Sequence, residues 1–336
     1  MTSTAYTAAR ERAAWLDRSN RGRIVVSGAD RRSYLQGLLT NDIAALTPGS
    51  GCYAAYLRAQ GRMIADLWVY ELGDLVLLAM HGDVKDTVLA RLDQFIFGED
   101  VQLGDVTATF AEIAIVGPHA AAAVARALTG VSADVLTALP EHGNVRAQFD
   151  GAPAIVTRGS DVGEPGFEVY LGAEQRDAFV RALESAGAVA LDAETAEAIR
   201  IEAGVPLFHR DMDEETIPLE AGIEQRAISL TKGCYVGQEV IIRVLHRGHG
   251  RVARRLVGLA VDGPVVPERA AAIAVGEKVV GEVTSAAFSP RLGRPVAIGY
   301  VQRDVAEPDT IVRINSSSAG GNASDAISAR VTQRIS

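Results

Sequence analysis

One short stretch, Lys232-Gly233-Cys234-Tyr235-Val236-Gly237-Gln238-Glu239, carries the residue types that thiol chemistry needs. Cys234 is one of two cysteines in 336 residues, and a lysine stands two positions before it. A thiolate is both a nucleophile and a metal ligand, and a nearby cation or helix N-terminus lowers its pKa. Gly233 and Gly237 bracket the cysteine and suit a tight loop with exposed backbone. Gln238 and Glu239 fall where the first turn of a short helix can begin, favoured by the positive end of its dipole. The alternative is a buried cysteine in a turn, since free Cys packs as a small hydrophobe.

The elements that must position this stretch are mixed. Residues 5–18 read as a helix with Trp15 and Leu16 as packing residues, and 23–27 as a strand. Tyr34, Leu35, Leu38 and Leu39 recur at helical spacing, closed by Thr40-Asn41-Asp42. Extended runs at 52–57, 63–70 and 75–79, separated by Gln60-Gly61 and Gly73-Asp74, predict a β-meander. Helices are expected at 84–95, 120–128, 174–186 and 193–204, with strands at 107–116, 147–158 and 166–171. Without strict βαβ alternation the class is α+β. After residue 250 short β-like runs broken by Gly and Pro predict a small all-β barrel over 251–336, following a body over 1–250. Residues 316–324 read as a loop and 326–335 as a last strand.

The totals narrow the function. A net charge of −9 argues against general nucleic-acid binding. Two cysteines, Cys52 and Cys234, supply neither a disulfide framework nor a four-thiolate cluster site, so a cytoplasmic setting is expected. No apolar run reaches the ~18 residues of a membrane span, and the N-terminus lacks the apolar core of a secretory signal. A monomer is expected.

Lys232 to Glu239 resembles the signature of the YgfZ-type folate-binding proteins, relatives of the glycine-cleavage T-protein (aminomethyltransferase). Thr40-Asn41-Asp42, the stretch 61–69, Gly163-Glu164-Pro165-Gly166-Phe167-Glu168, Arg200-Ile201-Glu202-Ala203-Gly204 and Asp211-Met212-Asp213-Glu214 also resemble T-protein blocks, in the same order. So do Gly281-Glu282-Val283-Thr284-Ser285 and Phe288-Ser289-Pro290. The resemblance implies a folate-binding body in two parts around a central channel, a C-terminal β-barrel, and tetrahydrofolate or a one-carbon derivative as the ligand.

Position by position, the resemblance places Asp66 near the reactive N5 of folate, where a carboxylate can hold positive charge or move a proton. It makes Glu168 the acid that accepts two N–H donors from the pterin edge. Tyr53 and Tyr70 would line the pterin slot, and Arg200, Tyr235, Gln238 and Glu239 join the expected folate contacts. Bland alternatives stand beside each: a strand-end Asp66, a solvated Glu168, core tyrosines, and an Arg200–Glu202 ion pair. The sequence also departs from T-proteins. Asn20 and Arg21 stand where they usually have His and Met, Asp161-Val162 where a Tyr-Thr pair touches the pterin, and Ala196 where an arginine is common.

Other constellations carry less. The cationic run from Arg243 to Arg255 suits a folate glutamate tail, an acidic partner, or simply a solvated strand. His246 and His249 lack a third ligand, and Asp211, Asp213, Glu214 and Glu215 lack calcium-loop spacing and read as a solvated loop, so no metal site is expected. Cys52 is expected to be buried. The leading expectation is a tetrahydrofolate-binding protein that supports iron–sulfur cluster assembly or repair, with Cys234 as the working thiol, Lys232 its activator and iron–sulfur client or assembly proteins as partners. The alternative is a folate-dependent aminomethyltransferase or N-demethylating enzyme that uses Asp66 and needs no thiol.

Overall fold

Strands buried on both faces, such as Met63–Glu71, Val76–Met80 and Phe110–Val116, build two sheets that meet face to face, and a further set closes into a barrel. The computed structural model describes residues 3–247, 250–315 and 326–332. One sheet has five strands in the order Gly51–Leu57, Met63–Glu71, Val76–Met80, Gly22–Ser27 and Gln102–Asp105. The expected meander is its first half, antiparallel throughout. The second sheet runs Val189–Ala190, Ala14–Asp17, Phe110–Val116, Gly166–Gly172, Ala152–Arg158 and Asn144–Phe149. Both sheets cover their outer faces with helices, whose apolar sides form separate cores. Their inner faces share a smaller cluster that includes Tyr70, Leu77 and Ala79 from one sheet and Tyr170 from the other.

The closed barrel is made by Arg254–Val261, Arg294–Gln302, Lys278–Ser289, Ala272–Val275, Ile311–Ile314 and Ile327–Thr332. Closure leaves no free edge. Helix Ala193–Ala203 ends at Gly204, whose φ of 68° provides the left-handed C-cap. It packs against the barrel, and Ile201 shares a core with Leu256, Ile298 and Tyr300.

Several expectations give way. The first helix stops at Glu11, and Trp15 and Leu16 lie in strand Ala14–Asp17, where pairing with Phe110–Val116 satisfies their backbone groups. The single strand expected over 147–158 is a hairpin, turned at Asp150 and Gly151 with φ of 49° and 78°. From Arg243 the cationic run continues helix Gln238–Ile242 as a π-helical turn over Arg243–Arg247 rather than a strand. His249, the loop at 316–324 and the end of the last expected strand lie outside the described residues. No helix among the described residues is long and apolar enough to cross a membrane.

Candidate functional site

Strand Met63–Glu71 places Asp66, Trp68 and Tyr70 on one face, because side chains two apart point the same way. That face looks into the seam between the sheets. Asp66 is only 5% exposed, and the Tyr53 hydroxyl, from the neighbouring strand, donates to its Oδ2 at 2.7 Å. Burial pushes the Asp66 carboxyl above its ordinary value, opposed by the Tyr53 hydrogen bond and the positive charge of Arg21. The Tyr53 and Trp68 rings pack with centroids 5.5 Å apart, and the Arg21 guanidinium lies 4.8 Å from the Trp68 centroid. Asn41 fixes this corner by donating from its amide to the Tyr53 carbonyl at 2.8 Å. A cavity of about 180 Å³ opens beside Asp66, lined also by Arg18, Arg21, Trp68, His81 and Leu207.

The opposing sheet contributes Glu168 and Tyr170 from strand Gly166–Gly172. Tyr170 meets Tyr70 across the seam at 6.4 Å between ring centroids. Around them runs a buried charge network. Glu112 accepts from Arg23 at 3.1 Å and from Arg21 at 3.4 Å, while Asp161 accepts from Arg18 at 2.8 Å and also from Arg21. Glu168 is 4% exposed, yet its Oε2 has no hydrogen-bond partner among the described residues. Burial, reinforced by the charge of Glu112, raises its carboxyl well above the ordinary range, and Arg21 partly offsets this. A buried acceptor without a donor costs about 1–3 kcal/mol. Such an oxygen is suited to a ligand that brings the donor with it.

The two departures at Arg21 and Asp161 are therefore one feature: the residues are joined to each other in the seam. Their segments are far apart in the chain, so only the fold reveals the pair. Trp68, Arg23, Glu112 and Tyr170 were missed as site residues. The alternation Asp66, Trp68, Tyr70 is the signal that points to Trp68.

The octapeptide lies elsewhere, against the end of helix Arg31–Leu38 and the turn before Met63. Val236 donates its N–H to the Gly37 carbonyl at 3.2 Å. Gly237 has a φ of 84°, and an added Cβ would fall 2.5 Å from the Arg58 carbonyl oxygen, so both conformation and space require glycine. Cys234 is exposed, and helix Gln238–Ile242 begins where the motif suggested. Lys232 turns inward. Its ammonium donates to the carbonyls of Gln36, Leu39 and Asn41 at 2.6, 2.6 and 2.8 Å and lies 5.1 Å from the Tyr235 ring centroid. Its cation thus serves helix-end carbonyls, and burial lowers its pKa to about 8, partly offset by the charge of Asp42. Lys232, expected as the activator of Cys234, thus clamps the end of helix Arg31–Leu38. Tyr235 is core, Glu239 is exposed, and neither they nor Gln238 line the Asp66 cavity. Cys52 is half-buried, its thiol pushed up to about 12 by burial.

Arg200 is also a structural residue. It pairs with Glu197 at 2.6 Å and Asp211 at 2.7 Å and donates to Ser285 Oγ of the barrel at 2.9 Å. Glu202 instead accepts from Tyr6 at 2.7 Å and from Arg10. Asp211, expected in a solvated loop, is 2% exposed and accepts from Arg200, the Leu207 N–H and Thr284. His81 and Asp83, which line the Asp66 cavity, converge with His209.

These features define a class: a two-sheet body with buried carboxylates facing a polar seam, closed by a docked six-stranded barrel. Residues 2–232 match the GCVT N-terminal domain model, and residues 254–333 match the glycine cleavage T-protein C-terminal barrel domain. The chain belongs to the glycine-cleavage T-protein family. An aminomethyltransferase of Rubrobacter xylanophilus is 33% identical over 296 residues, covering 88% of this chain and 78% of that one. Those of Streptomyces coelicolor and Bacillus subtilis are 31% and 30% identical, covering 91% and 92% of this chain and 82% and 85% of theirs. The glycine cleavage system aminomethyltransferase T of Bartonella henselae superposes with a TM-score of 0.87, over 98% of this chain and 88% of that one, at 24% identity. That likeness speaks for the fold.

Proposed function

We propose that this chain binds a reduced folate in the seam and acts on the one-carbon unit it carries, as a folate-dependent aminomethyltransferase-type protein. The observation that carries the reading is the buried, unpartnered Oε2 of Glu168. A 2-amino-pyrimidinone edge brings two parallel N–H donors, which a carboxylate accepts side by side. Tetrahydrofolate supplies the amine nitrogens that take up the one-carbon unit. Asp66, buried and held by Tyr53, stabilises positive charge on a reacting nitrogen or takes its proton, and burial raises its carboxyl in the direction a general base needs. Trp68, Tyr70 and Tyr170 supply apolar walls that keep water from that nitrogen. The names of the relatives favour aminomethyl transfer.

The test is turnover of an aminomethyl-thiol donor with tetrahydrofolate, followed as ammonia and methylene-tetrahydrofolate. Asp66→Asn should lose at least about 100-fold, the lower range of general acid–base catalysis, while Cys234→Ala keeps its rate. Folate binding without turnover in the unsubstituted protein would remove the transferase reading.

One observation favours a second reading. Cys234 is an exposed thiol on a firmly built loop, and aminomethyl transfer at Asp66 gives it no task. It suits the YgfZ-type role, folate-dependent support of iron–sulfur cluster assembly or repair, in which partner proteins supply the other cluster ligands. Normal activity of cluster-dependent enzymes in cells carrying only Cys234→Ala, under oxidative stress, would end it.

A further inference from the structure

Beside the Asp66 cavity, two histidines and a carboxylate from distant segments meet without an assigned task. His81 and Asp83 flank the turn after strand Val76–Met80, and His209 comes from the loop that leads toward the barrel. One ligand atom of each lies within 4.8 Å of the others. Asp83 Oδ2 is 3.6 Å from His81 Nδ1 and 3.8 Å from His209 Nδ1. Ligands at about 2.0–2.1 Å in a tetrahedral zinc shell lie roughly 3.3 Å apart, so the two carboxylate–imidazole pairs are within about 0.5 Å of that spacing and the imidazole pair, inside 4.8 Å, closes by a side-chain rotation.

A second observation comes from outside the three. The other ring nitrogen of His209, Nε2, faces Glu214 Oε1 at 3.1 Å. A carboxylate on the far nitrogen of an imidazole is the arrangement that orients a ligating histidine and raises its basicity. His209 also holds a φ of 63°, costly for a residue with a side chain, and backbone strain of this kind collects at functional sites. The His81 and His209 rings meet edge-on at 5.5 Å.

We propose that His81, Asp83 and His209 bind one divalent first-row transition cation of the zinc or ferrous type, with Glu214 as the positioning residue for His209. Two imidazoles and a carboxylate without a thiolate select such ions over copper(I). Three protein ligands leave a coordination position open. His81 and Asp83 line the same cavity as Asp66, so that position is available to a water or to an anionic group entering the seam. The proposal is independent of what the seam binds.

The experiment titrates cobalt(II) and zinc(II) into the chelator-stripped full-length protein, reading visible cobalt absorption and calorimetric heats. The expected result is one cobalt per chain, displaced by zinc, without a thiolate charge-transfer band and unchanged in Cys234→Ala. His81→Ala and His209→Gly should weaken binding at least tenfold; glycine is chosen because it accepts the positive φ, so folding is preserved. Glu214→Gln should weaken it by about 10–100-fold. Should either histidine variant unfold in circular dichroism, Asp83→Asn and Glu214→Gln carry the same expectation. Absence of saturable binding below millimolar metal overturns the proposal. So does saturable binding that these substitutions leave unchanged.

Discussion

The Tyr53 hydroxyl donates to Asp66 Oδ2 at 2.7 Å, the largest influence opposing the effect of burial on this carboxyl. Removing it in Tyr53→Phe leaves burial less opposed, so the Asp66 pKa rises further. The ionised form is then reached only at higher pH. A charge-assisted hydrogen bond contributes about 1.5–3 kcal/mol, and one pKa unit is about 1.4 kcal/mol. The acidic limb of the pH profile of kcat/KM should therefore move up by about one unit or more. An unmoved limb would separate Asp66 from the reaction.

Lys232 and Cys234 sit two residues apart yet do different work. Lys232→Met strips the donor from three carbonyls, of which that of Leu39 is fully buried, and a buried acceptor left unsatisfied costs about 1–3 kcal/mol. Cys234→Ser changes an exposed side chain and should stay within about 0.5 kcal/mol. Urea unfolding of the two variants checks this directly. Equal stabilities would mean that the clamp contributes nothing.

The Arg200–Asp211 pair ties helix Ala193–Ala203 and the loop after it to the barrel, where Ser285 and Thr284 complete the network. Arg200→Met leaves Asp211 as a buried charge without its cation. Such a break typically costs about 3–5 kcal/mol. Thermal unfolding should reveal the loss, with amide exchange rising first in strand Lys278–Ser289.

Sequence patterns reached much of this fold. The extended run at 63–70, bounded by turn residues, predicts the strand that carries Asp66, and the glycines around Cys234 predict an exposed loop before helix Gln238–Ile242. The barrel strands stood out because Gly and Pro punctuate short β-branched runs. Side-chain direction was not legible. Lys232 is two residues from Cys234 in sequence, but its ammonium follows the carbonyls at the end of helix Arg31–Leu38. Arg21–Asp161 and His81–His209 join segments brought together only by tertiary packing, and no local spacing signals either pair.

Glu168 tests the central claim most directly, because its protonation and its ligand compete for the same oxygen. Its carboxyl is raised in the folded state, so the native protein holds a proton that the unfolded chain releases. Stability contributed by that proton is lost as pH rises from the unfolded carboxylate value through the folded one. Glu168→Gln removes the titration and should be more stable than the unsubstituted protein above that window. The deciding measurement is equilibrium binding of tetrahydrofolate to the unsubstituted protein and to Glu168→Gln at neutral pH, with thermal unfolding alongside. The account predicts saturable binding at one site, weakened at least tenfold by the substitution while the melting temperature holds or rises. Absent binding, or binding that the substitution leaves unchanged, would contradict it.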